Sequence, residues 1–268
     1  MPQIFEHTVG DRPLIIETGR LAGQADGAVT VRYGDTVVLV TACVSSETRE
    51  GADFIPLTVD YEERHYAAGK IPGSFIRRES RPSQDAIVAD RLTDRSLRPL
   101  FPKGFRNDIQ VVVTVLSADQ ENDPDVLAII GASAALSLST IPFEGPVGAV
   151  RVGCLDGGLV LNPTFTQLAD SSLDIVVAST SDALVMMEGG AKEVPDRLIL
   201  EAIEFGQEAN LKIIGLQQQL RQACGKPKMD FNPSEVSPEV EEAVKTTIGG
   251  RLNAVSYTHL TLPTKRIV

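Results

Sequence analysis

Arginine dominates the chemistry that this sequence offers. From Gly69 to Phe101 the chain reads GKIPGSFIRRESRPSQDAIVADRLTDRSLRPLF, with Arg77, Arg78, Arg81, Arg91, Arg95 and Arg98 inside it and Arg106 just beyond. Between Lys70 and Arg106 there are nine Lys/Arg and four Asp/Glu, a net of +5, whereas the whole chain carries −11 and the remainder therefore −16. Net acidity keeps such a chain soluble and opposes nonspecific binding to polyanions. A local basic island can still capture phosphate. A guanidinium presents a fork of donors matched to phosphate oxygens, and Phe75 beside Arg77 and Arg78 could stack on a base.

The other titratable groups lack catalytic form. Asp119, Glu121, Asp123 and Asp125 make an acidic run, but without the glycine and distal glutamate of a calcium loop. It reads as a helix cap and a solvated loop. His65 stands beside Glu62, Glu63 and Arg64 and reads as a surface histidine. Cys43, Cys154 and Cys224 are far apart, without metal spacing. They read as buried free thiols in a reducing cytoplasm. No nucleophile elbow, HExxH or phosphate-binding glycine loop is present. With no tryptophan and only 5% aromatics, any nucleic-acid contact must rest on arginine.

These side chains need elements to hold them. Gly69, Pro72, Gly73 and Ser74 are turn residues, so Phe75 to Arg81 reads as an exposed loop. Pro82 and Ser83 open a helix with Asp85 in its first turn. On it Arg91, Arg95 and Arg98 fall at i, i+4, i+7, one stripe, with Asp94 able to pair with Arg91 and Arg98. That stripe serves equally as a phosphate-binding face or as a solvated one.

Around this helix, strands are expected at Pro13–Glu17, Ala28–Tyr33, Thr36–Val44, Ile55–Val59, Ile109–Ser117, Val147–Val152, Leu159–Asn162, Leu173–Thr180 and Leu184–Glu188. Gly34-Asp35 and Asp156-Gly157-Gly158 read as hairpin turns, and VVLVTACV as a central strand apolar on both faces. Asp123 and Pro124 cap a second helix, Val126–Ser139, in which Gly131 reads as a packing contact. Val194–Ala223 is helical, with Gly206 and Gly215 as potential breaks. The order of elements predicts an α+β sandwich of sheet and helices.

The length of 268 residues accommodates one large domain or somewhat more, and 43% hydrophobic content suits a real core. No apolar run reaches the roughly 20 residues of a membrane span, and the N-terminus does not read as a signal peptide. Gly225 to Ser234 reads as a linker, and Ser237-Pro238-Glu239 restarts a helix. The expected division is residues 1–230, a helical segment at 231–254, and a tail at 255–268. That tail, from about VSYTHLTLPTKRIV, departs in composition and is expected to be non-native.

Three stretches carry a specific resemblance: YAAGKIPGSFIRRESRPSQ, DRLTDRSLRPLFPKGF and SADQENDPDVLAIIGASAALSLSTIPFEGPVGAVRVG. They resemble the first half of the bacterial polynucleotide phosphorylase family, from about Pro13 to about Ala254. The resemblance implies an RNase PH-like (ribosomal S5 domain 2-like) sheet-and-helix domain, then the start of an all-helical domain. It implies a parent enzyme that degrades RNA from the 3′ end with inorganic phosphate as co-substrate, in a cytoplasmic homotrimer that acts on single-stranded RNA, uses Mg2+ and meets other RNA-degradation proteins. Arg77 and Arg78 would line the channel mouth. Phe75, Arg81, Arg91, Arg95 and Arg98 would lie nearby, guiding RNA or bracing the loop. Ile76 stands where the family usually has a second phenylalanine, which weakens stacking and leaves charge.

The family carries this fold twice, and its active copy has two aspartates six apart and a lysine two residues after the second. Here LADSSLDIVVA places Asp174 at the second aspartate, Leu168 at the first and Val176 at the lysine. The serine pair that cradles phosphate has no match either. The resemblance therefore implies a catalytically inactive copy with no catalytic or metal residue of its own, Mg2+ belonging to a second copy. The alternatives are a non-catalytic RNA-binding ring subunit of exosome type and a single-copy nuclease of RNase PH type. The absent aspartate and lysine argue against the latter, and the helical segment after Gly225 favours the two-copy enzyme.

Overall fold

The computed structural model describes residues 2–48, 51, 54–73, 81–231 and 237–260, the last four of these by backbone alone. They fall in two compact units, Met1–Phe231 and Asn232–Val268.

The first unit contains two sheets. The larger holds β1 (Gln3–Val9), β2 (Arg12–Thr18), β3 (Gly27–Tyr33), β4 (Thr36–Thr48), β5 (Leu57–Glu62) and β6 (Asn107–Ser117), in the order β1-β2-β3-β4-β6-β5. All its pairs are antiparallel except β5 with β6. A parallel pair needs a crossover, and α1 (Gln84–Leu97) lies in it. The arginine helix is therefore fixed to the sheet by topology. The smaller sheet, β10-β9-β7-β8, is antiparallel and holds β7 (Gly148–Leu155), β8 (Gly158–Leu161), β9 (Leu173–Ser179) and β10 (Leu184–Ala191).

Strict alternation builds the core. Val29, Val31 and Tyr33 on β3, Val38, Val40 and Ala42 on β4, and Ile109, Val111, Val113 and Val115 on β6 are all buried on one face. The opposite face of β4, with Val37 and Leu39, is half-buried, and β4 lies between β3 and β6, central in the sheet as expected. Against the buried face lies α2 (Pro124–Leu138), buried from Val126 to Leu138. Gly131 makes the close approach possible: a Cβ there would meet Val40 Cγ2 at 2.5 Å. Helix α4 (Asp196–Cys224) packs on β7 and β9 and also touches α2. Neither Gly206 nor Gly215 breaks it.

The two helices share a closed polar network. Gln217 Oε1 accepts from Ser133 Oγ at 2.7 Å, Gln217 Nε2 donates to Val147 O at 2.7 Å, and Val147 N donates to Ser133 Oγ at 2.7 Å. Full satisfaction is what makes such burial tolerable.

Three elements depart from expectation. Strand β1 was not anticipated, nor was the short helix α3 (Phe165–Asp170), which takes Leu168 out of the strand that carries Asp174. Residues 225–231 are a strap on the core rather than a linker. Lys226 N donates to Leu138 O (2.9 Å), Met229 N to Thr140 O (2.8 Å), and Phe231 meets Phe105 edge-on. Lys228 Nζ donates to the carbonyls of Leu136, Ser137 and Ser139 at 2.8, 3.1 and 2.8 Å, closing the C-terminus of α2. Of the cysteines only Cys154 is buried; Cys43 is exposed and Cys224 half-buried.

The second unit holds α5 (Pro238–Ile248), capped by Ser237, and α6 (Gly250–Leu260). Among the described residues no helix is long and apolar enough to cross a membrane.

Candidate nucleic-acid interface

Helix α1 begins where Ser83 can serve two partners: its Oγ accepts from Ala86 N at 2.9 Å and donates to Glu63 Oε2 at 2.7 Å. Its buried face consists of Ala86, Ala89, Leu92, Thr93, Ser96 and Leu97. Arg91 and Arg95 are left in solvent, four residues apart.

The stripe expected at Arg91, Arg95 and Arg98 resolves into three different situations. Arg91 is exposed and forms no ion pair among the described residues. Arg95 reaches across to β10 and pairs with Glu188. Arg98 is fully engaged. It grips Asp94 with Nε (2.9 Å) and Nη2 (2.6 Å), and donates to Ile55 O at 2.9 Å and Leu57 O at 3.1 Å. The bond to Asp94 raises its pKa against the opposing effect of burial. Arg98 thus braces α1 to the start of β5, and Asp94 pairs with it rather than with Arg91.

Arg81 is exposed on the rim of a cleft of about 500 Å³ that Lys70, Arg64, His65, Asp60 and Asp90 also line. Burial, then Asp94 and Asp60, raise the Asp90 carboxyl above its ordinary range. Phe75, Arg77 and Arg78 lie outside the described residues.

A second charged centre was not foreseen. Arg151, on β7, is nearly buried and lies among three carboxylates: Asp174 on β9 (2.7 Å), Asp123 (3.0 Å) and Asp125 (2.5 Å) at the start of α2. Burial opposes its charge, but Asp125, Asp123 and Asp174 outweigh that and raise its pKa. Burial, then Asp123, pushes the Asp125 carboxyl up. Within the acidic run Asp123 is the expected cap and Glu121 is exposed, but Asp123 and Asp125 are engaged rather than solvated. Asp123 caps α2, accepting from Asp125 N at 3.1 Å, and with Asp125 it neutralises Arg151. Asp119 organises the preceding turn, accepting from Glu121 N, Asn122 N, Asn122 Nδ2 and Asp35 N. One signal was available: Arg151 is the lone charge in GAVRVGCL, and a cation in a buried strand needs carboxylates.

This centre does not suit a divalent cation. The guanidinium occupies the space between the carboxylates, Val176 beside Asp174 is buried and apolar, and Leu168 stands on α3. Among the described residues no group of His, Cys, Asp and Glu is arranged to hold a metal.

Comparison with known proteins agrees with the architecture. Residues 10–142 match the model of the 3′ exoribonuclease family, domain 1, and residues 145–209 that of domain 2. The polyribonucleotide nucleotidyltransferase of Dehalococcoides mccartyi is 55% identical over 249 residues, 93% of this chain and 35% of that protein. That of Thermomicrobium roseum is 56% identical over 258 residues, 96% of this chain and 33% of the relative. The chain thus spans about a third of the length of these relatives. Rrp46 from rice (Oryza sativa) has the same fold, with a TM-score of 0.64 at 17% identity, over 80% of this chain and 96% of that one. With both domains matched in sequence and the fold shared, the chain belongs to the 3′ exoribonuclease family.

Proposed function

We propose that this chain is a non-catalytic, RNA-guiding copy of the RNase PH fold within a polyribonucleotide nucleotidyltransferase. The parent enzyme would be a cytoplasmic homotrimer that degrades mRNA from the 3′ end, with inorganic phosphate as co-substrate and Mg2+ held by its second copy. Residues 1–230 would support the ring and direct single-stranded RNA, and 231–254 would begin an all-helical domain. The residues after 254 would be foreign to the fold. One observation carries the reading of inactivity: the cation beside Asp174 is Arg151, bonded to its Oδ1, and apolar Val176 stands where the family's active copy has lysine.

In this reading Arg77, Arg78, Arg81, Arg91 and Arg95 face RNA phosphates, Phe75 contributes one ring, and Arg98 braces the helix that presents them. Each phosphate contact on a single strand contributes a slope of about −0.7 in log K against log salt. Arg77→Ala with Arg78→Ala should weaken oligoadenylate binding regardless of sequence and flatten that slope, with little change in stability. Superimposable salt plots for wild type and double variant would refute the role.

A further inference from the structure

Between α1 and β10 lies an open cleft of about 420 Å³, lined by Val88, Arg91, Asp94, Arg95 and Glu188. Its charges are not all of one standing. Asp94 is gripped on both oxygens by Arg98 and has little left to offer the cleft. Arg91 is a standing cation. Arg95 is held by a carboxylate 93 positions away in sequence, on an edge strand of the other sheet. The side chains of that pair are 54% and 40% exposed. An ion pair so exposed is cheap to break.

We propose that Glu188 is a built-in competitor, an intramolecular anion that occupies Arg95 until a phosphodiester of single-stranded RNA displaces it. A phosphate oxygen takes the guanidinium fork as well as a carboxylate does, and Arg91, one turn away on the same face, adds a charge that Glu188 does not use. Displacement returns the Glu188 carboxylate to water. The arrangement lowers the affinity of the cleft for RNA and makes each engagement of Arg95 reversible, which suits a surface that must pass a strand along. The inference rests on the reading of α1 as an RNA-facing element.

The test is oligoadenylate binding by the whole chain, measured by anisotropy at several salt concentrations. Glutamine keeps an acceptor for Arg95 and removes the charge. Glu188→Gln should tighten binding about two- to fivefold, the range of an exposed pair, and steepen the salt slope by up to about 0.7. Arg95→Ala should weaken binding, and Glu188→Gln should have no effect in that background. If Arg95→Ala weakens binding and Glu188→Gln leaves it unchanged, the competitor role is overturned and the RNA-facing surface stands. If neither Arg91→Ala nor Arg95→Ala weakens binding, the reading of α1 itself fails. Inorganic phosphate at millimolar concentration should not compete. Competition that strengthens in the glutamine variant, without tighter RNA binding, would assign the cleft to free phosphate and overturn the RNA form.

Discussion

Arg151 Nη1 lies 2.7 Å from Asp174 Oδ1, and the same guanidinium holds Asp123 and Asp125 through Nη2. The contact joins β7, β9 and the N-terminus of α2. It gives Asp123 and Asp125 their counter-charge from within the chain and engages one oxygen of Asp174, whose side chain stays 44% exposed.

Removing the cation should therefore damage the fold. Breaking a buried pair by deleting one partner costs about 3–5 kcal/mol, because the remaining charges lie uncompensated. For Arg151→Met, at roughly 2–4 °C per kcal/mol in a domain of this size, the melting temperature should fall by about ten degrees. The sign of the pH dependence follows from Asp125, whose carboxyl is already raised by burial and Asp123 and would rise further without Arg151. The penalty of the variant should be greatest near neutrality and shrink as pH is lowered toward about 4 and the carboxyls protonate. A deficit independent of pH would show that packing, rather than charge, is what the arginine supplies.

Two helical glycines should respond in opposite directions to the same change. A Cβ at Gly131 meets Val40 Cγ2 at 2.5 Å, whereas at Gly215 nothing lies within 4 Å. Gly215→Ala should stabilise by about 0.5–1 kcal/mol through helix propensity. Gly131→Ala should lose about 1–2 kcal/mol net, since overpacking exceeds the same gain. Urea denaturation of the two variants compares them directly, and equal gains would disprove the close approach of α2 to the sheet.

Asp119 should govern part of the acid sensitivity. Burial alone would raise its carboxyl, but bonds from Asn122 N, Glu121 N, the Asn122 side chain and Thr36 outweigh that and hold it at about 2. Its folded pKa is thus below the unfolded value of 3.8. The stabilisation is present above about pH 4 and lost as pH falls toward 2. Asp119→Asn should lower the melting temperature at pH 7 and flatten its decline between pH 4 and 2. Parallel curves for variant and wild type would refute this.

Where neighbours in sequence determine a structure, the sequence discloses it. The Gly34-Asp35 turn, the Asp123-Pro124 cap and the start of α1 at Ser83 are local, and all lie where their residue types require. Strand β1, QIFEHTV, shows no clean alternation, because polar His7 shares the inward face with Phe5 and Val9 while apolar Ile4 is exposed on the other. The 225–231 strap was mistaken for a linker because Gly-Lys-Pro-Lys reads as polar, while Lys228 uses its charge on carbonyls about ninety residues away. The partners of Arg151 and Arg95 likewise come from distant positions, so the stripe on α1 was visible and the division of labour within it was not.

The central claim, that this chain handles RNA without cutting it, is tested by product release. The purified chain is incubated with poly(A), inorganic phosphate and Mg2+, and ADP is measured over time. With Arg151 among the carboxylates and Val176 beside Asp174, no ADP should appear above background, while oligoadenylate binding persists in the same preparation. Sustained, metal-dependent release of ADP by the pure protein would contradict the account.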